Sequence, residues 1–217
     1  MQSLDNIWQE YLNDTLDQKV LKDFILHIEN DPEHQGEAIV MATDMLVEEP
    51  NNKILKELIP CLVKQLDNED DHVREVAVGC VVRRIKLPEY AEKALNMAQH
   101  DPCDNVRGLA ASSLGAVIDK VDFVLRKQIA IYLYDSITNH IYDDWHKQCT
   151  YDSLLEAMNV PINMWPAKKL NPDISKMVDK DLLENFRKKY NLAPMQLNLR
   201  GVYSTTLSDK LTFTQNT

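Results

Sequence analysis

The chain has 217 residues with 34 acidic and 24 basic side chains, a formal charge of −10. That balance excludes a general nucleic-acid binder and docking on an anionic membrane, since both draw affinity from clustered Lys and Arg. The length suits one domain or one elongated array, and only five glycines are present, too few to punctuate an all-β protein.

Cys61, Cys80, Cys103 and Cys149 are widely spaced and include no C-x-x-C pair. Three sit in apolar helical patterns, as small core residues of a reducing compartment do. The N-terminus has no basic n-region or apolar h-region, and no stretch approaches the ~20 apolar residues of a membrane span. These features predict a cytoplasmic protein.

Leu4, Ile7, Trp8, Tyr11 and Leu12 have helical spacing and predict a capping helix. A second stripe runs from Leu16 to Ile28 and ends at the turn Asn30-Asp31-Pro32. Ala38, Ile39, Ala42, Met45 and Leu46 mark a third helix, stopped before Glu49-Pro50. Residues 53–66 present Ile54, Leu55, Leu58, Ile59, Leu62, Val63 and Leu66 on one broad face, with Pro60 inside predicting a kink. After the acidic turn Asp67–Asp71, a helix carries Val73, Val76, Ala77, Cys80, Val81 and Ile85 inward and closes at Leu87-Pro88. Ala91, Ala94, Leu95 and Ala98 then lead to the turn His100–Asp104, and Val106, Ala110, Leu114 and Ile118 form the next helix.

Overlaying the two second helices places Val73-Arg74 on Val106-Arg107, 33 residues apart, with Ala77 on Ala110 and Cys80 on Ser113. A period of this size marks stacked helical hairpins, each too small to bury its own apolar face. A degenerate third copy has Val124, Ile129, Leu133 and Ile137 in its first helix. In its second helix Trp145-His146 aligns with Val73-Arg74, Cys149 with Ala77 and Leu154 with Val82. Residues 16–48 align similarly without the Val-Arg pair.

The run Leu58-Ile59-Pro60…Asp70-Asp71-His72-Val73-Arg74…Ala77…Val82, with Asp101-Pro102…Asp104-Asn105-Val106-Arg107…Ala110…Leu114, resembles the HEAT-repeat family. The resemblance implies an all-α, right-handed α-solenoid of about four hairpins. It also implies that turn carboxylates and second-helix arginines, by position Asp71 with Arg74 and Asp104 with Arg107, tie each hairpin to its neighbour. The expected organisation is a solenoid with an N-terminal cap helix over 1–158 and a non-repeat appendage over 159–217, packed on the solenoid.

In that appendage Pro161, Pro166 and Pro172 surround Trp165 and predict an extended connector lying against the solenoid. Residues 179–190 form a short amphipathic helix whose basic end, Arg187-Lys188-Lys189, suits a helix C-terminus. Residues 195–203 and 207–214 alternate enough for a weak hairpin or a docked tail, and 215–217 should be loose.

Chemistry-bearing motifs are sparse. His100 and Cys103 make an H-x-x-C spacing without a second ligand pair, and zinc needs four ligands or three plus water. The Asp67–Asp71 turn fails the EF-hand pattern, with His72 where Gly is needed and Val78 where Glu is needed. His140 and His146 flank Asp143 and Asp144 in what reads as a loop. No nucleophile elbow, phosphate-binding loop, dinucleotide fingerprint or zinc-protease motif occurs. The sequence therefore implies no metal, no cofactor and no enzyme.

If the second helices line a concave face, it shows Glu37, Met41, Asp44 and Glu48, then Glu75, Gly79, Arg83 and Lys86. Ser112, Ala116 and Asp119 follow, and then Lys147, Tyr151 and Leu155. Gly79 and Ser112 would leave a shallow notch. The plain reading is a solvated helix face. The sharper one is a partner-binding groove made by Glu37, Met41, Asp44, Glu48, Glu75, Arg83, Asp119, Lys147 and Tyr151 for a basic protein. One concrete version is an immunity protein neutralising a basic toxin such as a nuclease, with charge complementarity setting association rate and specificity. A general adaptor is a second version. The alternative from another class is a HEAT-like enzyme, a chromophore lyase or a DNA glycosylase; a glycosylase would need a basic groove with aromatic platforms.

Overall fold

The computed structural model describes residues 1–138, 143–166 and 174–193. In chain order the helices are α1 (Leu4–Leu12), α2 (Gln18–Asn30), α3 (Gln35–Glu48), α4 (Ile59–Lys64), α5 (Asp71–Val78) and α6 (Ala91–His100). They continue with α7 (Asp104–Ser113), α8 (Phe123–Thr138), α9 (Asp144–Ala157), α10 (Ile174–Met177) and α11 (Lys180–Lys189). Short polar side chains set several starts. Ser3, Asp17, Asp70, Asp143 and Asp179 each stand one residue ahead of a helix and accept hydrogen bonds from its otherwise unpaired first-turn N–H groups.

The fold is all-α, the expected solenoid of helical hairpins, with no strand among the described residues. Of the first helices, α2 packs on α4, and α6 and α8 pack on their own second helices α7 and α9. Second helices form a layer, with α3 packed on α5, α5 on α7 and α7 on α9. Each hairpin leaves an apolar stripe that only its neighbour covers, so the interior runs continuously through Phe24, Met45, Leu62, Ala77, Ala110, Leu133 and Leu154. Helix α1 packs on α2 and caps the N-terminal end, burying Leu4 and Ile7. At Gly115 the third and fourth hairpins approach closely. A β-carbon there would lie 2.0 Å from the Ser153 carbonyl oxygen, and the Gly115 N–H donates to Ser153 Oγ at 2.6 Å.

Three local features depart from the sequence expectation. Pro60 does not kink one long helix over 53–66. It opens α4 near its first residue, a 3-10 turn (Leu55–Leu58) precedes it, and another (Gln65–Asp67) follows. Proline lacks the N–H for a continuing helix and its ring clashes one turn back, so the chain is divided there. Helix α5 gives way to a π-helical turn, Gly79–Arg84, which ends with the Ile85 N–H on the Cys80 carbonyl at 2.9 Å and Lys86 at φ 63°. The fourth hairpin is shifted by one residue from the alignment above. Its N-cap is Asp143, matching Asp70 and Cys103, so His146 occupies the buried place of Val73 and Val106 and Lys147 stands where Arg74 and Arg107 stand. His146 is only 5% exposed, and its Nε2 lies 2.8 Å from the Tyr132 hydroxyl, which donates to the Ala98 carbonyl.

The expected pairing of Arg74 with Asp71 is not made. Arg74 reaches across to the next hairpin, donating from Nε and Nη2 to both oxygens of Asp101 at 3.0 and 2.9 Å. Its Nη1 donates to the carbonyls of Asn68 and Glu69 in its own turn. Arg107 does pair with Asp104, but within its own hairpin, so this pair does not make the expected tie to a neighbour; Arg107 also repeats the reach-back to the carbonyls of Asp101 and Pro102. Side-chain exposures of 13% for Arg74 and 7% for Asp101 make theirs a largely buried pair. Burial alone would raise the Asp101 carboxyl. The Arg74 hydrogen bonds and the Cys103 N–H outweigh it and hold the group below its ordinary value.

In the appendage, α10 packs on α9, and the Asp179 N–H donates to the Tyr151 hydroxyl at 3.0 Å. Helix α11 buries Phe186, and Tyr190 and Leu192 follow it into the core. Lys189 and Tyr190 both reach Asp119, at 2.7 and 3.0 Å, so part of the basic helix end works as a clasp as well as facing its own helix dipole. The alternating segments 195–203 and 207–214, residues 215–217 and Pro172 lie outside the described residues.

Arg74→Ala should cost about 3 kcal/mol in urea unfolding, the lower end for breaking a buried ion pair. Arg74→Ala/Asp101→Ala should lose little more than the single variant; strict additivity would show that the two do not act as a unit. Burial depresses the pKa of His146, so below about pH 6.5 the unfolded chain takes up a proton that the fold refuses, and stability falls as pH falls. His146→Val, the residue of the two clear repeats, should flatten that slope below about pH 6.5 in thermal melts.

Candidate functional site

All second helices point the same way, so the inner layer has two edges. The edge where they begin carries the exposed carboxylates Asp70, Asp71, Asp104, Asp143 and Asp144, in first turns where unpaired N–H groups and the helix dipole favour negative charge. No group of three or more possible metal ligands occurs among the described residues. Asp67 pairs with Lys93, Asp70 caps α5, and His140 lies outside the described residues. A shallow recess of about 320 Å³ lies nearby between Leu66, Lys93, Met97 and His100, and its charged walls, Asp67–Lys93 and Arg74–Asp101, are paired with each other.

Of the residues expected in the groove, Glu37 is exposed on α3, and Met41, Glu75 and Lys147 are half-buried. The acids are largely engaged within the chain. Asp44 pairs with Arg84, and Glu48 accepts from the Tyr11 hydroxyl at 3.0 Å. Burial first, and then Glu48, pushes the Tyr11 hydroxyl well above its ordinary pKa. Asp119 takes Lys189 and Tyr190. Tyr151, 2% exposed, is not on an open groove; the appendage covers it. The expected notch is also absent: a β-carbon on Gly79 would stand 3.1 Å from Leu109 Cδ2, and Ser112 is buried with its hydroxyl on the Leu109 carbonyl. Gly79 and Ser112 lie inside the stack of second helices, not on its open face.

What the structure does bring together lies at the opposite edge, where the second helices end. Arg83, on the π-helical turn, donates from Nε to Glu156 of α9 at 3.2 Å. Lys86 Nζ stands 3.7 Å from the other Glu156 oxygen. The Arg83 guanidinium lies 5.6 Å from the centroid of the Trp165 ring, and the indole N–H is fixed on the Val160 carbonyl at 2.8 Å. The cluster joins the second hairpin to the fourth, past the third, because α7 stops at Ser113 and the chain tightens into a 3-10 turn, Leu114–Ala116. The sequence expectation puts Arg83 on a groove-facing surface, and the structure adds Glu156 and Trp165 as its neighbours, which the sequence reading does not name. A lone tryptophan in a proline-rich stretch was the available signal. Cys80, in the same turn, is buried, and burial pushes its thiol up, the opposite of what a nucleophile needs. Among the described residues no helix is long and apolar enough to cross a membrane.

No family model matches the sequence, and no curated protein matches it. A solved structure does share the fold: the complex of CpcE and CpcF of phycocyanin lyase from Nostoc sp. PCC7120. The likeness has a TM-score of 0.51 at 16% identity and covers 85% of this chain and 95% of that one. It corrects the expectation of a non-enzyme. The same architecture occurs in a complex described as a lyase, so the lack of short catalytic motifs does not mark this fold as non-catalytic. The chain has a HEAT-like helical-repeat fold.

Proposed function

We propose that this chain is a HEAT-like protein of the chromophore-lyase type, acting on a protein substrate in company with a second helical-repeat chain. The observation that carries the reading is the fold shared with a phycocyanin lyase complex over 85% of this chain and 95% of the other. Fold alone does not assign chemistry, and the inner layer supplies the second support. Its closing edge holds an aromatic face with two cations, Arg83 and Lys86, around one carboxylate, Glu156. An open acidic groove for a basic protein is less well supported, because Asp44, Glu48 and Asp119 bond within the chain. Membership of the HEAT-repeat family, on the Arg74 and Arg107 hairpins, belongs to the same proposal.

The test begins with affinity purification of the tagged chain and mass spectrometry of what it holds. The recovered partner chain and acceptor protein, or phycocyanin apoprotein, are then incubated with chromophore. The expected result is visible absorbance that stays with the acceptor through denaturing electrophoresis and requires this chain. Recovery of a basic toxin alone, whose activity the chain blocks, would overturn the reading in favour of an inhibitor.

A further inference from the structure

We infer that His27 is a proton-dependent latch: its charged ring fastens the lead-in of the capping helix α1 to α2, and the cap loosens when the ring loses a proton.

Gln2, at the entry to α1, is held on α2 through both of its main-chain groups. Its N–H donates to Asp23 at 2.9 Å, and its carbonyl lies 2.7 Å from His27 Nε2, one turn further along the same helix. On the other side of the ring, Nδ1 stands 2.7 Å from Asp31 Oδ2. A carbonyl oxygen only accepts hydrogen bonds, and so does an ionised carboxylate. Both ring nitrogens therefore donate, which takes two protons and gives the imidazole a positive charge. The hydrogen bond from His27 holds the Asp31 carboxyl below its ordinary value, so the proton between them belongs to the ring.

Burial makes this place intolerant of a neutral ring. His27 is 6% exposed, so little water can replace a lost partner. With one proton gone, a ring lone pair faces either the Gln2 carbonyl or the Asp31 carboxylate at hydrogen-bond distance. The Gln2 carbonyl is the partner that gives way, because Asp31 is fixed at the end of α2 and also takes His34 Nδ1 at 3.1 Å. Gln2 buries its side-chain Oε1 without a partner among the described residues, a cost that its two main-chain bonds have to offset. Ser3, the next residue, is the N-cap of α1, and a helix of nine residues does not hold in water without the surface it packs on. Release at Gln2 therefore uncaps the N-terminal end of the array.

The charged groups on the neighbouring elements leave His27 as the one that switches. Helix α1 contributes Asp5, exposed in its first turn, and Glu10, bonded to Thr15. The turn after α2 contributes His34, exposed and bonded to Asp31, and α4 contributes Lys64, paired with Glu29. Helix α3 presents the neutral Gln35, which donates to the Ile28 carbonyl. The capped state holds a proton that the open state gives up above the ordinary histidine range, so protection of α1 is lost as pH rises. The fold as a whole moves the other way, weakening as pH falls on account of His146, so local and global responses differ in sign.

Hydrogen exchange of the full chain, followed by mass spectrometry at about pH 5.5, 7 and 8.5, tests the latch through protection factors of α1 and α7 peptides. Across that range α1 should lose about tenfold in protection, the worth of one charge-assisted hydrogen bond, and α7 should not follow it. His27→Gln should leave α1 poorly protected at every pH. Asp31→Asn is the decisive variant. Its amide can donate to the bare Nδ1 of a neutral ring, whose Nε2–H then keeps the Gln2 carbonyl, so α1 should stay protected and the pH response vanish. His34→Gln should leave the response intact. Protection of α1 that is flat or rises with pH would overturn the proposal, as would a response that persists in Asp31→Asn or disappears in His34→Gln.

Discussion

The Arg74 guanidinium is the fixed point around which the hairpins are arranged. Four of its donors are committed, two to both oxygens of Asp101 and two to the carbonyls of Asn68 and Glu69. One planar group therefore holds the turn of the second hairpin and the turn of the third at a set distance and angle. Apolar stripes drive the stacking but are tolerant of small slides. A bidentate fork is not, and it converts adhesion between hairpins into a defined register. Arg107 keeps the backbone half of the device and directs its charge to its own turn, so the link between the third and fourth hairpins rests on close packing at Gly115 and Ser153 instead.

How much of this was legible in the sequence follows from the range of each interaction. Helices, their caps and the apolar stripes are local, and the pattern from Leu4 to Leu154 showed them. The π-helical turn was not visible, since Gly79–Arg84 continues the same apolar face and differs only in hydrogen bonding. The one-residue shift of the fourth hairpin is hidden in the sequence because a buried histidine does not look like valine; Tyr132, a helix away, makes His146 tolerable in that place. The acidic groove failed as an open surface for a similar reason. Formal charge counts Asp44, Glu48 and Asp119 at full value, whereas Arg84, Tyr11, Lys189 and Tyr190 come to them from other elements. The Arg83–Glu156 pair joins residues 73 positions apart in the chain, a separation that no local pattern spans.

The two edges of the second-helix layer differ in how their charges are paired. The starting edge is acidic because caps and first turns favour carboxylates there. The closing edge is mixed: Arg83 and Lys86 meet Glu156, Arg84 meets Asp44, and Asp119 takes Lys189. A formal charge of −10 therefore overstates the free acid at the closing edge, where these carboxylates have partners within the chain.

The Arg83–Glu156 contact has a mechanical side. A stack of hairpins bends by small rotations at each interface, like a column of loosely seated blocks. A strut from the second block to the fourth crosses two of those interfaces, and bending at either one stretches or compresses it. Helices α5, α7 and α9 therefore form a braced segment, stiffened further where the backbones meet at Gly115. The first hairpin is joined to the second differently, by the buried Gln35–Gln65 hydrogen bond at 3.0 Å and the more exposed Arg84–Asp44 and Lys64–Glu29 pairs, each of which crosses a single interface.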